Sequence, residues 1–127
     1  MLPFSISFAR GLPVYEQLVY GVKKAILCRQ LRPGDPFPSV RQLSGELHIN
    51  PNTVQKAVAA LQEEGLLKAI PGIGTVVAVA PPATREQRQE LLGKEVERLV
   101  VNAKQLSLGL DELQQAVAHH WKGLEKP

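Results

Sequence analysis

Residues 38–67 constrain the fold of this chain more than any other stretch, because they carry two helix start signals in succession. Ser39 is a favoured N-cap, and Gln42 follows three residues later, at the spacing of a capping box. Asn50 is a second N-cap, and Pro51 suits the first helical position, where its missing N–H costs nothing. The pattern therefore predicts two short helices in close sequence.

Each of these predicted helices has one apolar face at helical spacing. The face consists of Val40, Leu43 and Leu47 in the first helix, and of Val54, Ala57, Val58 and Leu61 in the second. His48-Ile49 breaks the pattern between them, and Gly65 is well placed to end the second helix. Two helices joined by so short a turn are typical of a helix-turn-helix, whose second helix enters the major groove of DNA.

A β-hairpin is predicted directly after the second helix. Residues 66–70 form a short apolar run, and residues 75–79 are apolar and largely β-branched, as strands prefer. Pro71-Gly72-Ile73-Gly74 between them is dense in turn residues. A hairpin in this position is the wing of a winged helix.

The residues before the helix-turn-helix complete the expected domain. Phe4, Ile6 and Phe8 alternate with serines, which fits either a short half-buried strand or an extended arm. Pro13 opens a helix, and residues 31–36 form a loop rich in turn residues. One face of that helix is apolar, with Val14, Leu18, Val22 and Ile26. The predicted order is thus three helices and a hairpin.

Six short motifs lie in a fixed order between residues 11 and 77. They are Pro13-Val14-Tyr15-x-Gln17-Leu18, Leu31-x-Pro33-Gly34, Pro38-Ser39-x-Arg41-x-Leu43, Asn50-Pro51-Asn52-Thr53-Val54, Leu61-x-x-x-Gly65-Leu66-Leu67 and Gly72-x-Gly74-Thr75. In this combination they resemble the GntR family of bacterial transcription regulators. A single motif would not be specific, but six in order are. The resemblance implies a winged helix-turn-helix that binds DNA.

The basic charge of the chain is concentrated in its first part. Residues 1–80 contain eight Lys or Arg and five Asp or Glu, whereas residues 81–127 contain seven of each sign. The whole net charge of +3 therefore lies with the helix-turn-helix, which suits a surface that faces phosphates. Taken alone, so small an excess is also compatible with an ordinary solvated surface.

Composition excludes several other classes of protein. With 44% hydrophobic and 21% charged residues, the chain fits a soluble globular protein, and it has neither a membrane-length apolar run nor a signal-peptide pattern. Its single cysteine, Cys28, fits a reducing cytoplasm and is interpreted as a packing residue. We expect no metal site, because His48 lies in a turn and His119 and His120 are helical neighbours that diverge.

A short linker divides the sequence into two predicted domains, residues 1–80 and 81–127. The linker is the Pro-containing stretch 80–83. Thr84 with Gln87 repeats the capping-box signature and begins a long helix that runs to about Leu106. After a break around Gly109, a second helix starts at Asp111; its apolar face is Leu113, Val117, Trp121 and Leu124.

The long tail helix carries an apolar seam that predicts dimerisation. The seam residues are spaced 4, 3, 4 and 3 apart, as in a coiled coil, and they are Leu92, Val96, Leu99, Ala103 and Leu106. Two helices cannot cover so long a stripe, so a second copy of the chain is the natural partner. The family resemblance agrees, since GntR proteins bind DNA as dimers and a tail of two helices resembles the YtrA-like subgroup.

Candidate DNA-binding residues lie on both helices of the pair. The family's PSxR motif implies that Arg41 contacts DNA, and a guanidinium suits bidentate contact with guanine or phosphate; the alternative is an ordinary surface arginine. Polar side chains at the start of the second helix suit base edges and phosphates, aided by the helix dipole. These are Asn52, Thr53, Gln55 and Lys56.

Three further candidates have structural alternatives. Asn50 is as well explained by capping as by phosphate contact, and Ser39 is a cap first and a phosphate donor second. Gly72 is a turn former whose backbone N–H is available to DNA. The wing tip lacks the basic residue that the family often has there, so side-chain contact by the wing is not expected.

Together these observations predict a cytoplasmic, homodimeric winged-helix repressor that binds a palindromic operator and needs no cofactor. The sequence has no catalytic constellation, and an enzyme is a distant third interpretation. The alternative is an assembly adaptor that uses the same fold to bind proteins without specific DNA binding. A groove between paired tails offers space for a small effector, although no residue identifies one.

Overall fold

Six α-helices, one π-helical segment and one two-stranded sheet follow each other in the computed structural model, which describes residues 1–125. The elements are α1 (Val14–Leu27), α2 (Val40–Leu47), α3 (Pro51–Glu63), β1 (Leu67–Ile70), β2 (Gly74–Val77), α4 (Arg85–Gln89), the π segment (Glu90–Glu95), α5 (Val96–Gln105) and α6 (Leu110–Glu125). The order of α1 to β2 confirms the predicted winged helix-turn-helix. The chain divides into two compact units, of which the first is Met1–Pro81 and the second begins at Pro82.

The core of the first unit lies among its three helices. Each helix contributes one face, and the faces of α2 and α3 follow the predicted spacing. The buried side chains are Leu18, Val22 and Ala25 of α1, Leu43 of α2, and Val54, Ala57 and Leu61 of α3. The face of α1 is rotated from the predicted one, because Ala25 is buried while Val14 is exposed and Ile26 is only half-buried. Leu67 and Val77 close the core from the sheet.

The N-terminal residues form an extended arm and not a strand. Phe4 is buried and its ring stacks on Phe37, with centroids 5.9 Å apart. Further along, the side chain of Gln17 accepts a hydrogen bond from the Ala9 amide at 2.7 Å and donates to the Ala9 carbonyl at 3.0 Å. The arm is therefore fixed to the first unit by the packing of Phe4 on Phe37 at one end and by the Gln17 side chain of α1 at the other.

The wing is a hairpin whose second strand is also bonded to the loop before α2. Leu67 pairs with Val77 and Ile70 with Gly74, so both strands are shorter than predicted. Segment 34–37 lies along the outer edge of β2, where the Phe37 amide donates to the Thr75 carbonyl at 2.8 Å and the Gly34 amide to the Val77 carbonyl at 2.7 Å. A two-stranded hairpin is marginal by itself, so these bonds stabilise it.

The second unit contains α4, the π segment, α5 and α6. Thr84 caps α4 in a complete capping box with Gln87, as predicted. The long helix predicted as continuous α-helix contains instead the π segment Glu90–Glu95. Ser107, at a positive φ of 59°, ends the run, and α6 begins at Leu110, one residue before the predicted start. None of the helices in residues 1–125 has the length and apolarity needed to cross a membrane.

Candidate nucleic-acid and dimer interfaces

The N-terminus of α2 is organised by a serine cap. Ser39 Oγ accepts a hydrogen bond from the Gln42 amide at 3.1 Å, which uses an acceptor lone pair and leaves the hydroxyl proton to donate elsewhere. The predicted capping box is incomplete, because the Gln42 side chain donates to Glu46 Oε2 at 2.9 Å and does not return to Ser39. This bond lowers the pKa of Glu46 below its ordinary value.

Arg41 lies in the first turn of α2, two residues after the cap, with its side chain exposed. Within residues 1–125 no acidic group forms an ion pair with it. A guanidinium presents five donors in a planar fork, so Arg41 has its full donor set for an incoming acceptor.

The turn between α2 and α3 is closed by side chains on both sides. His48 ends α2 in the left-handed region at φ 56°, and Ser44 Oγ donates to the Ile49 carbonyl at 2.6 Å. Asn50 then caps α3, since its Oδ1 accepts from the Asn52 amide at 2.8 Å. The cap uses only the oxygen of the Asn50 amide, so its NH₂ group is not required for it. Ser44 was not identified from the sequence, because its partner is a carbonyl and leaves no pattern.

We expect Asn50→Ala to lower the free energy of unfolding by about 1 kcal/mol, which is typical for loss of a helix cap. The matched control is Asn52→Ala, which removes a neighbouring exposed amide that accepts no capping bond and is expected to leave stability unchanged. Thermal unfolding followed by circular dichroism measures both. Equal stability of Asn50→Ala and the unaltered chain would contradict the capping role, and Asn50→Asp, which keeps the cap but removes the NH₂ group, tests phosphate contact separately.

One side of α3 is buried and the opposite side presents polar groups. Val54, Ala57 and Leu61 are buried in the core, at helical spacing. The predicted contact residues divide by exposure: Asn52, Gln55 and Lys56 are exposed, and Thr53 is half-buried. The outer surface of α3 therefore carries amides and one ammonium. Two other candidates, Ser39 and Arg41, lie at the start of the preceding helix, α2.

Lys56 is not free on this surface, because its Nζ lies over the ring of Tyr15, 4.6 Å from the centroid. Tyr15 is half-buried in the first turn of α1 and packs against the core cluster. Sequence reasoning missed this contact, since the two residues are far apart in the chain and share no local pattern. At the other end of the same helices, Lys23 of α1 pairs with Glu64 after α3 at 2.9 Å.

The wing tip is a turn without charge. Gly72 is exposed and has φ of +79°, and a β-carbon added there would meet open space, so the backbone conformation is what favours glycine. The Ile73 amide donates to the Ile70 carbonyl at 3.0 Å and closes the turn. Ile73 itself is exposed, so the tip presents an aliphatic side chain.

The second unit exposes the predicted seam. Four of its five residues are open to solvent: Leu92 is 67% exposed, Val96 42%, Leu99 44% and Leu106 72%. Ala103 differs, because it is buried within its own unit and the chain turns back over it, with the Leu108 amide donating to the Ala103 carbonyl at 2.9 Å. Ala103 thus contributes to the packing of the second unit itself.

The exposed apolar face is wider than the predicted seam. A groove of about 510 Å³ lies between α5 and α6, and Val96 and Leu99 line one side of it. Leu110, Val117 and Trp121 line the other side, and Trp121 is 69% exposed. Soluble monomers rarely expose so large a contiguous apolar surface.

The histidines do not gather into a ligand cluster in the described part of the chain. His119 and His120 lie edge-on with centroids 5.4 Å apart on the exposed surface of α6. Residues 1–125 contain no group of three His, Cys, Asp or Glu side chains arranged to hold a metal ion.

Comparison with known proteins identifies the fold and family. The profile described as "Bacterial regulatory proteins, gntR family" matches residues 14–77, from the first residue of α1 to the last of β2. The chain belongs to the gntR family. As a gntR-family protein it is similar to the HTH-type transcriptional repressor YtrA of Bacillus subtilis (strain 168), with 32% identity over 110 residues, which cover 86% of this chain and 81% of YtrA. The predicted resemblance to the YtrA-like subgroup is confirmed.

Two solved structures extend the comparison for this gntR-family chain. A transcriptional antiterminator from Listeria monocytogenes EGD-e superposes with a TM-score of 0.86 over 98% of this chain and 93% of its own, at 22% identity. This superposition shows a shared fold. The DNA-binding domain of AraR, solved in complex with operator ORR3, is 27% identical and superposes with a TM-score of 0.51 over 58% of this chain and 89% of its own.

Proposed function

We propose that this gntR-family regulator is a repressor that acts in the cytoplasm and binds a palindromic DNA operator as a homodimer. The observation that carries the proposal is the exposed polar face of α3, which follows in sequence the exposed Arg41 of α2, a residue without an ion pair in residues 1–125. The repressor function of YtrA and the operator bound to AraR support the same interpretation. In this proposal α3 enters the major groove, and Arg41 contacts a guanine or a phosphate.

The remaining candidates have distinct roles in the proposed complex. Asn52 and Gln55 carry amides that suit adenine and other base edges, and Thr53 assists at the helix N-terminus. Lys56 suits phosphate. Ser39 and Asn50 combine capping with phosphate contact, since each cap leaves donors unused. Gly72 offers its backbone N–H from the wing.

Dimerisation through the second unit is the other part of the proposal. Pairing two copies along Leu92, Val96, Leu99 and Leu106 removes their apolar surface from water, with Ala103 supporting the helix from within. Two-fold pairing sets two recognition helices at a constant separation, which matches half-sites about 34–36 Å apart. Residues 1–80 are thus proposed as the DNA-binding domain and residues 81–127 as the dimerisation tail.

Selection from a random duplex pool tests the function directly. The expected result is an enriched sequence with two inverted half-sites, bound with an affinity that falls steeply with salt. The same salt series on a scrambled duplex gives the non-specific reference. Recovery of no enriched sequence, together with salt-independent binding, would favour the assembly adaptor instead.

Substitutions on α3 are expected to separate base contact from phosphate contact. Asn52→Ala and Gln55→Ala should relax sequence preference at single positions, because an amide reads a base edge. Lys56→Gln should weaken binding about equally on selected and scrambled duplexes and reduce the slope of log affinity against log salt by about one. Fluorescence anisotropy across a salt series measures both quantities. If all three variants behave alike on the two duplexes, the assignment is wrong.

A further inference from the structure

We propose that Tyr15 is a positioning residue for DNA binding, which holds the ammonium of Lys56 on its ring before DNA arrives. The inference rests on the proposed function, because Tyr15 would act on DNA binding only through Lys56. It assigns to α1 a part in recognition that is otherwise placed on α2, α3 and the wing.

The contact geometry is that of a cation–π pair. Lys56 Nζ lies 4.6 Å from the ring centroid, within the distance at which the negative face of an aromatic ring attracts a cation. Tyr15 is half-buried and packed on the core cluster, whereas Lys56 is exposed. The ring is therefore the fixed partner, and the lysine is the mobile one.

The helices that carry the pair are held together independently. The Lys23–Glu64 ion pair at 2.9 Å joins α1 to the end of α3, eight residues beyond Tyr15 on one helix and eight beyond Lys56 on the other. The Gln17 side chain fixes the arm to the first turns of α1. Tyr15 thus belongs to a well-anchored part of the unit and is able to orient a flexible side chain.

Orientation matters because lysine has a long stem with many rotamers. If such a side chain becomes immobilised only when DNA binds, the loss of rotamer freedom reduces the affinity. If it is held in place before binding, less freedom is lost and the affinity is reduced less. The ring occupies one side of the ammonium, which leaves its other side for phosphate oxygens. A cation between an aromatic face and an anion is attracted to both.

Two variants of Tyr15 separate the aromatic face from simple packing. Tyr15→Phe retains the ring and should bind the operator like the unaltered chain. Tyr15→Leu retains apolar packing without a ring and should weaken binding about two- to fivefold, the magnitude of an exposed cation–π pair. Tyr20→Leu is the matched control, because Tyr20 lies exposed on the same helix and faces no cation in the described contacts.

A double-mutant cycle decides between positioning and mere structure. In the Lys56→Gln background, Tyr15→Leu should cause no further loss of affinity, because there is no ammonium left to hold. The same loss in both backgrounds would overturn the proposal, as would equal weakening by Tyr15→Phe and Tyr15→Leu. Thermal unfolding of each variant establishes that it is folded under the assay conditions.

The cycle also distinguishes this inference from the proposed function. If Lys56→Gln leaves the salt slope unchanged, the phosphate role of Lys56 is wrong, and the positioning role fails with it. If Lys56→Gln lowers the slope while Tyr15→Leu and Lys56→Gln act additively, only the positioning role is wrong. Absence of any salt-dependent operator binding by the unaltered chain would refute the function itself.

Discussion

Leu99→Glu is expected to convert the proposed dimer into a monomer. Leu99 is 44% exposed in the described protomer and lies at the middle of the seam, so in a dimer it would be covered by the partner chain. A carboxylate buried there without a cation is costly, commonly by several kcal/mol. Sedimentation equilibrium at micromolar concentration measures the change, and operator binding should weaken with it.

Gln105→Glu is the matched control for Leu99→Glu. It introduces the same charge on the same helix, at an exposed polar position outside the seam, and should leave the dimer intact. A chain that lacks residues 84–127 should also be monomeric and should bind a single half-site weakly. A monomeric unaltered chain at micromolar concentration would refute the proposed dimer, and so would a truncated chain that still dimerises.

The fluorescence of Trp121 offers a second measurement of the proposed dimerisation. It is the single tryptophan of the chain and is 69% exposed in the described protomer. If the partner covers the groove between α5 and α6, dilution of the protein should shift the Trp121 emission to the red as the ring becomes hydrated. An emission maximum that does not change through the dissociation range would place the interface away from this groove.

Arg41→Ala should lose specific DNA binding while the fold is retained. Loss of a bidentate base contact costs about 1–3 kcal/mol, and the exposed Arg41 has no ion pair within residues 1–125 whose loss would disturb the domain. Anisotropy on selected and scrambled duplexes gives the specificity ratio, and circular dichroism establishes folding.

Arg41→Lys distinguishes the two partners that a guanidinium suits. A phosphate contact tolerates an ammonium, whereas bidentate recognition of guanine needs the planar fork. If Arg41 contacts guanine, Arg41→Lys should keep most non-specific affinity and lose preference for the operator; if it contacts phosphate, Arg41→Lys should retain both. Unchanged operator affinity in Arg41→Ala would show that Arg41 takes no part in binding.

The elements predicted from sequence are those whose signals are local. Ser39, Asn50 and Thr84 each cap the helix that they were expected to cap, because a cap depends on atoms two or three residues away. The apolar periodicity located the core faces of α2 and α3, since period and burial are linked directly.

The features that sequence reasoning missed depend on contacts distant in the chain or on competition between partners. Gln42 has the spacing of a capping box, in which its side-chain oxygen would accept from the Ser39 amide, but the side chain is oriented toward Glu46, to which its Nε2 donates. Ala103 has the spacing of the seam, but it is buried within the second unit, where the Leu108 amide donates to its carbonyl. The Lys56–Tyr15 pair requires the packing of α1 on α3, which no local pattern records.

The π segment is a different kind of omission. Its residues are ordinary helix formers apart from Gly93, and a π turn differs from an α turn only in bonding to the fifth residue along. Because each turn then holds more residues, Leu91 and Leu92 lie at other angles to Val96 than a regular seam implies. The spacing from Val96 onward is therefore that of a regular α-helix, and Leu92 joins the proposed seam at a different angle.

The bonding of segment 34–37 to β2 has a consequence for how the domain tolerates change. Surface loops commonly accept insertions, but here the amide of Phe37 and the carbonyl of Asp35 are part of the sheet, the latter accepting from the Val77 amide at 2.9 Å. A residue inserted into this loop would displace the register of these bonds and, with them, the direction in which the hairpin projects. The length of the loop before α2 and the direction of the wing are therefore coupled, and homologues should vary the two together.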